Sequence, residues 1–467
     1  MGRIFESSSY IFIYKDDEYW LFLPVRVGGG EIMTKFFRFE ELGTNYKSEV
    51  IGGVSTFVTM AYIVIVNPAI LSKGGFPHEA SVTATIIAAF IGTMIMALYA
   101  RRPFAVAPYM GENAFVAFTV CIAMGYNWQT ALGAVFWGGV IFVLITILKI
   151  RSWIARAIPD GLKISFAAGI GLFIMFIGLN VSGIIRLGVE DAPVKIGNFS
   201  TAGPLLGIFC VILIAILMVK RIPGAIIIGI MVTSFIAFVS GAANWPSEII
   251  SPPPSLEPLL FKLDIAGALS IDFLPVLLVV FILDFVDTMG TLIGVSARAN
   301  LLDENRNLPE IEKPMLADAV ATVTGALAGT STTGTFIESA AGIEAGAKSG
   351  FASLVTALMF LLCLFFAPLF VAVPAFAYGP ALVIVGFTML SSLRDFPFND
   401  YTELFPAAAT IAFMSFTYNL GFGIAAGFVL YPILKIISGR IKEIPAGLWI
   451  LFGFSLLLFI IYPYDKI

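Results

Sequence analysis

The hydrophobic pattern of this chain is blocked rather than periodic. From Val50 onward, apolar runs near the roughly 20 residues that a helix needs to cross a bilayer follow one another, separated by short polar or Pro/Gly-rich joints. The runs lack the two-residue alternation of an outer-membrane barrel. Lipid-exposed backbone must also satisfy its own hydrogen bonds, so the pattern predicts spanning helices. They fall near 50–72, 81–101, 112–125, 128–148, 160–180, 204–219 and 223–241, then near 272–296, 314–329, 336–346, 350–372, 379–393, 405–418 and 420–437. A last run, 446–463, either crosses or lies on the surface, and Phe36 to Lys47 reads as a short amphipathic lead.

The polar positions that interrupt this pattern carry most of the information. Asp284-Phe-Val-Asp287-Thr-Met-Gly-Thr291 lies inside the apolar run Phe273 to Val295. A charged side chain at that depth costs roughly 2.5–3.5 kcal/mol on insertion scales and is rare unless it faces a cavity or a partner. Asp284 and Thr288, and Asp287 and Thr291, are four apart, so on a helix each pair shares a face. A second interruption, Gly329 to Ser339, holds a Thr-Ser-Thr-Thr run and Glu338, and a third, Ala107 to Phe115, holds Glu112 and Asn113. The second and third are too polar and Gly-rich for continuous lipid-facing helices.

Their positions suggest a duplicated architecture. Seven spans (33–241), a polar Pro-rich loop (242–270) and seven more (271–438) place the two Gly-rich breaks at the start of the third span of each half; 439–467 is left as a C-terminal apolar segment. Pro159-Asp-Gly161 and Tyr378-Gly-Pro380 likewise precede the fifth and twelfth spans. An odd number of spans per half inverts the halves in the membrane, the plan of many secondary transporters, and interrupted segments at matching positions point to the transport site. Basic residues test the count. Arg101-Arg102, Lys149/Arg151/Arg156, Lys220-Arg221, Arg298/Arg306/Lys313, Arg394 and Lys435/Arg440/Lys442 all land on one side, which the positive-inside rule makes cytoplasmic, with the N-terminus.

Composition agrees: 59% of the residues are hydrophobic and only 12% charged, against about 25% charged in a soluble domain. Cys121, Cys210 and Cys363 sit in or beside apolar runs without metal or disulfide spacing, and the one histidine, His78, lies in a connecting loop. No HExxH, CxxC or nucleophile elbow occurs. Gly342 to Ser349 resembles a phosphate-binding loop only superficially, with the wrong spacing and no preceding strand. Residues 1–32 differ from the rest and lack a signal-peptide core. Gly-Gly-Glu31 just before Ile-Met33 can encode a ribosome-binding sequence, so either Met33 is the true start or 1–32 is a disordered tail.

If the two Gly-rich breaks are extended and each leads into a half-helix, their free amides converge near the midplane. Asp287 and Glu338 then add carboxylates that accept N–H groups or bind a coupling cation or proton. Such a site suits a flat heteroaromatic bearing both N–H and C=O, with Phe115 to stack on it, and suits an anion poorly because no Lys or Arg accompanies the breaks. Each feature has a plainer reading. Asp284 serves as packing polarity, Glu112 caps the half-helix or neutralises a basic partner, the threonines pack helices, and Glu344 and Lys348 form a helical ion pair.

Four stretches resemble a known family: Val54 to Pro68, Met110 to Phe118, Asp284 to Gly294 and Thr330 to Gly342 look like the signatures of the AzgA-like purine permeases, a branch of the nucleobase–cation symporter superfamily. The resemblance runs from about Met33 to Leu451. It implies an all-α polytopic membrane protein of fourteen helices as two inverted sevens, with short strands opening the third and tenth spans. A core domain (spans 1–4 and 8–11) would move against a gate domain (5–7 and 12–14). It places the family's eighth-span carboxylate on Asp287 and its tenth-span glutamate on Glu338, and the third-span contact region on Asn113, Ala114 and Phe115. Thr335 and Ile337 join the substrate residues, and Thr291 and Asp284 join Asp287 in ion coupling. The purine branch often has Phe-Asp-Thr where this chain has Val286-Asp-Thr288. The expectation is a prokaryotic plasma-membrane importer of adenine, guanine or hypoxanthine. It would use a proton and no cofactor, bind no nucleic acid, and pair as a homodimer through the gate domain. Xanthine or uracil, an anion on the same fold, and an integral-membrane enzyme are the alternatives.

Overall fold

The computed structural model describes residues 29–150, 157–189, 192–303 and 308–461. Residues 1–28, which hold most of the proposed N-terminal extension, lie outside them, and Met33 falls within the first helix, α1 (Gly29–Phe36). A short α2 (Phe39–Leu42) follows. Together they bring Phe37, Phe39 and Tyr46 edge-on against Phe351, so the amphipathic lead is clamped to the start of the eleventh span.

The apolar runs are helices, as the pattern predicts. They are α3 (Tyr46–Met60) with α4 (Ile63–Lys73), α5 (His78–Ile95), α6 (Met110–Ala114), α7 (Trp128–Ile147), α8 (Asp160–Val181), α9 (Ala202–Val219) and α10 (Ala225–Val239). The second half supplies α11 (Leu274–Arg298), α12 (Glu312–Ala328), α13 (Ser339–Glu344), α14 (Gly350–Cys363), α15 (Ala375–Met389), α16 (Tyr401–Phe416), α17 (Leu420–Ile437) and α18 (Ala446–Ile461). Nine helical stretches among the described residues are long and apolar enough to cross a membrane; Met110–Ala123, Ala225–Val239 and Ala446–Ile460 are shorter apolar helices. Side-chain caps set several starts: Asn45 accepts from the Ser48 amide, Asn127 from Thr130, Asp400 from Thr402 and Asn419 from Phe422.

Packing sorts the helices into two groups. In one, α12 lies on α5 and α7, α14 on α3 and α5, and α11 on α7. In the other, α8 lies on α15 and α16, α9 and α10 on α15, and α17 on α16. The α8–α15 crossing is antiparallel and glycine-lined: a Cβ on Gly171 would meet the Gly386 carbonyl at 2.7 Å, and one on Gly178 would meet the Gly379 carbonyl at 2.7 Å. Small residues let two backbones approach where lipid supplies no hydrophobic drive.

Two expectations fail here, and one feature is new. Tyr378-Gly-Pro380 does not precede the twelfth span but lies inside α15, where Gly379 is used for the contact with α8. Glu344 and Lys348 do not pair. α13 ends at Glu344 and Gly346 turns the chain at φ +112°, so Glu344 reaches Arg298 at 2.9 Å while Lys348 donates to the carbonyls of Leu42 and Gly43. The loop 181–203 also holds an unforeseen antiparallel ribbon, β2 (Ile185–Val189) with β3 (Ala192–Ile196).

Candidate functional site

The two Gly-rich breaks meet. Val106–Pro108 forms β1 and Thr333–Thr335 forms β4, antiparallel in the register Val106↔Thr335, Ala107↔Gly334, Pro108↔Thr333. The pairing extends past both ends: the Tyr109 amide donates to the Thr332 carbonyl at 3.0 Å and the Phe336 amide to the Ala105 carbonyl at 2.9 Å. Pro108 cannot donate to a ladder and glycine or threonine at the opposing positions disfavours helix, so each segment stays extended for three residues before turning into α6 or α13. Buried in this way, extended backbone is tolerated at membrane depth.

Side chains from neighbouring helices hold the crossing in place. Asn67 on α4 donates to Thr85 at 2.7 Å and to Thr330 at 2.8 Å, and accepts from the Asn113 amide group at 2.7 Å. Asp318 on α12 accepts the Thr335 amide at 3.0 Å and its hydroxyl at 2.9 Å. Thr322 bridges the Thr333 backbone in both directions and donates to Asp284 at 3.3 Å.

Asp287, on α11, and Glu338, just after β4, are half-buried, and the Glu338 charge bears on Asp287. Tyr62, at the joint between α3 and α4, donates to Glu338 at 2.6 Å. Tyr109 lays its ring parallel to Phe336, with centroids 6.1 Å apart, and its hydroxyl lies 3.3 Å from both Thr288 and Thr291. Ile337 is 54% exposed beside Glu338.

Other predicted residues are placed differently. Thr335 is fully buried with amide and hydroxyl both committed to Asp318, so it positions β4 and presents no free donor. α6 starts at Met110, earlier than expected; the Phe115 amide is already bonded inside the helix, so Ala114 and Phe115 do not form its open amide end. Phe115 lines a mostly apolar hollow with Val279, Asn419 and Leu458. Asn113 is buried and tied to Asn67. Thr291 donates back to the carbonyls of Asp287 and Thr288 at 2.8 and 3.2 Å. Asp284 is buried against Thr322, in keeping with a supporting place. Glu112 neither caps α6 nor meets a base: both its oxygens are buried without a hydrogen-bond partner.

Tyr62, Tyr109, Asn67 and Asp318 escaped the sequence reading. Asp318 could have been found by the same rule that singled out Asp287, a carboxylate within a spanning run. The tyrosines carry no such signal. Five carboxyl groups thus gather around the crossing: Glu112, Asp284, Asp287, Asp318 and Glu338. The charges that bear on them come from one another, with no lysine or arginine among them.

Two half-length spans meeting strand to strand, with acidic side chains at the break, define a polytopic membrane carrier. The chain belongs to the Permease family, whose pattern matches residues 47–430. It is 46% identical over 89% of its length to a putative permease of Methanocaldococcus jannaschii, covering 95% of that protein. It is 42% identical over 92% to the guanine/hypoxanthine permease PbuG of Bacillus subtilis, covering 99% of it, and 39% identical over 88% to the adenine permease AdeQ of Escherichia coli, covering 92%. These relatives are permeases, not enzymes, and bear out the resemblance read from the four motifs. Among solved structures, the transmembrane domain of the cyanobacterial bicarbonate transporter BicA superimposes with a TM-score of 0.59 at 16% identity, covering 88% of this chain and 97% of that one. The fold is therefore shared with carriers of different cargo.

Proposed function

We propose that this permease imports a purine nucleobase, with Asp287 and Glu338 accepting the base's N–H groups. The observation that carries the reading is that these two half-buried carboxyls lie close enough for the Glu338 charge to bear on Asp287, at the β1–β4 crossing where the rings of Tyr109 and Phe336 lie parallel. A flat ring with donors on its edge matches acceptors in the plane and aromatic faces above. The names of the B. subtilis and E. coli relatives, guanine/hypoxanthine and adenine permeases, point the same way. The bicarbonate carrier shares the fold, but an anion here would meet the half-buried carboxyls of Asp287 and Glu338.

Transport follows alternating access: the group containing α3–α7 and α11–α14 slides as a core past the gate formed by α8–α10 and α15–α17, driven by a proton entering with the base. The basic joints favour an N-terminus in the cytoplasm of a prokaryotic cell, and the gate face forms the homodimer contact. The test is uptake of labelled hypoxanthine challenged with a panel of purines and pyrimidines, with and without a protonophore. Purines alone should compete, and the protonophore should collapse accumulation. Glu338→Ala should abolish uptake while the protein still reaches the membrane; wild-type-like uptake by that variant sinks the assignment.

A further inference from the structure

Glu112 is the acid at the crossing whose two oxygens are both buried without a hydrogen-bond partner. It is 1% exposed, and both oxygens are sealed from solvent. Three of its neighbours in the cluster are better provided: Glu338 accepts from Tyr62, Asp318 from Thr335, and Asp284 from Thr322 through one oxygen. The charges that bear on Glu112 are those of Asp287 and Asp284, from α11. The other helices packed on α6 bring no opposite charge to it. α4 brings Asn67, which is taken up by Asn113. α8 brings Ile170 against Gly111, while its own ionisable residues, Asp160 and Lys163, pair with each other at its first turn. Tyr109, just ahead of α6, turns its hydroxyl to Thr288 and Thr291.

A buried carboxylate stripped of water and of donors is costly, so Glu112 calls for a further donor. That donor must be small, because a base cannot touch oxygens that are fully enclosed. The acidic side chains do not gather into a metal-binding group of three among the described residues. The smallest donor that fits is a proton.

We propose that Glu112 and Asp287 form a two-carboxyl site that holds the coupling proton, with Asp287 facing the base and Glu112 behind it. This deepens the purine–proton reading and rests on it. One proton from bulk water forms an O–H bond on the pair as the site opens outward; the same bond breaks to water on the inner side, and nothing else is made or broken. The helices that carry them pack together and the Asp287 charge bears on Glu112, and two acids that repel in this way share a proton more readily than they both ionise. Glu112 therefore couples the ion to the base through Asp287 and does not itself touch the substrate.

Purified protein in liposomes decides this. In Glu112→Gln, base-for-base exchange of labelled hypoxanthine should persist within about threefold of wild type. Accumulation driven by a pH gradient should fall at least tenfold and lose its pH dependence, and Glu112→Asp should restore both. The second readout needs no substrate: the acid-minus-alkaline infrared difference spectrum of wild type should contain a protonated-carboxyl C=O band that Glu112→Gln removes. Gradient-driven accumulation with the wild-type pH profile in Glu112→Gln, or an unchanged carboxyl band, overturns the proposal. If wild type exchanges no purine, the substrate reading falls instead, and the infrared comparison still decides the role of Glu112.

Discussion

Two buried glutamates set the regions of this permease apart. Glu49, on the first span, is 0% exposed and surrounded by donors: the amides of Lys348, Ser349 and Ala352 at 3.0, 3.3 and 3.2 Å, and the Thr44 hydroxyl at 2.7 Å. It caps the start of α14 from another helix and uses the positive end of the helix dipole. Glu112, 1% exposed at the β1–β4 crossing, has none. Burial alone therefore does not mark a functional acid. A carboxyl saturated with fixed donors locks two elements together, whereas one left bare beside other acids waits for something that comes and goes.

Removing each acid should have opposite consequences for stability. Glu49→Ala strands several amides at once, each worth about 1–3 kcal/mol when left unpaired. It should lower the melting temperature in detergent more than substitution of any acid at the crossing; an unchanged melting temperature would break the comparison. Asp318→Ala comes next. Thr335 loses its acceptor for two charge-assisted bonds, each contributing about 1.5–3 kcal/mol. Purine uptake should fall by about a hundredfold or more, with moderate destabilisation, measured by uptake against surface expression. Glu112→Leu, by contrast, should melt at or above the wild-type temperature, because replacing an unsatisfied buried carboxyl by an apolar group is often neutral or stabilising.

A finer test touches the aromatic pair. A Cβ at position 334 would meet the Tyr109 ring at 2.4 Å, so Gly334→Ala should push the ring off Thr288 and Thr291. We expect KM for the base to rise about tenfold with little loss of kcat, and Tyr109→Leu in the same chain to recover part of it.

The smallest effect lies at the far end of α16 and α17. The Thr402 hydroxyl and the Arg440 guanidinium hold Asp400 down to about 2, and Arg440 with Lys435 holds Glu443 down to about 2. Groups lowered on folding stabilise the native state above their ordinary values and cease to do so as pH falls through the lowered ones. The melting temperature should therefore drop slightly between about pH 4 and pH 2, and Asp400→Asn should blunt the drop. Glu443 is exposed and Asp400 partly so, and solvent and salt keep the effect small.

Much of the architecture was legible in the chain. Apolar runs fix helices because a bilayer permits little else, and the run 420–437 coincides with α17. The Gly/Thr-rich breaks announced themselves because no lipid-facing helix tolerates them, and they are the two strands that meet. Asp287 and Glu338 stand out in the sequence for the same reason: ionisable groups at that depth are rare without a task. Details of the surroundings were not legible, for a different reason. Thr335, Phe115 and Glu112 each lie in the right stretch, but their roles depend on which neighbour arrives at a given ångström. Asp318 reaches Thr335 from another span, Phe115 turns toward α17 and α18, and no donor reaches Glu112. Sequence by itself determined the elements, their order and the residue types at the breaks, since these follow from local hydrogen bonding and transfer to lipid. Only the tertiary structure decided which buried polar groups are spent on holding the crossing together and which are left open, because that depends on partners supplied by other helices, some of them hundreds of residues away.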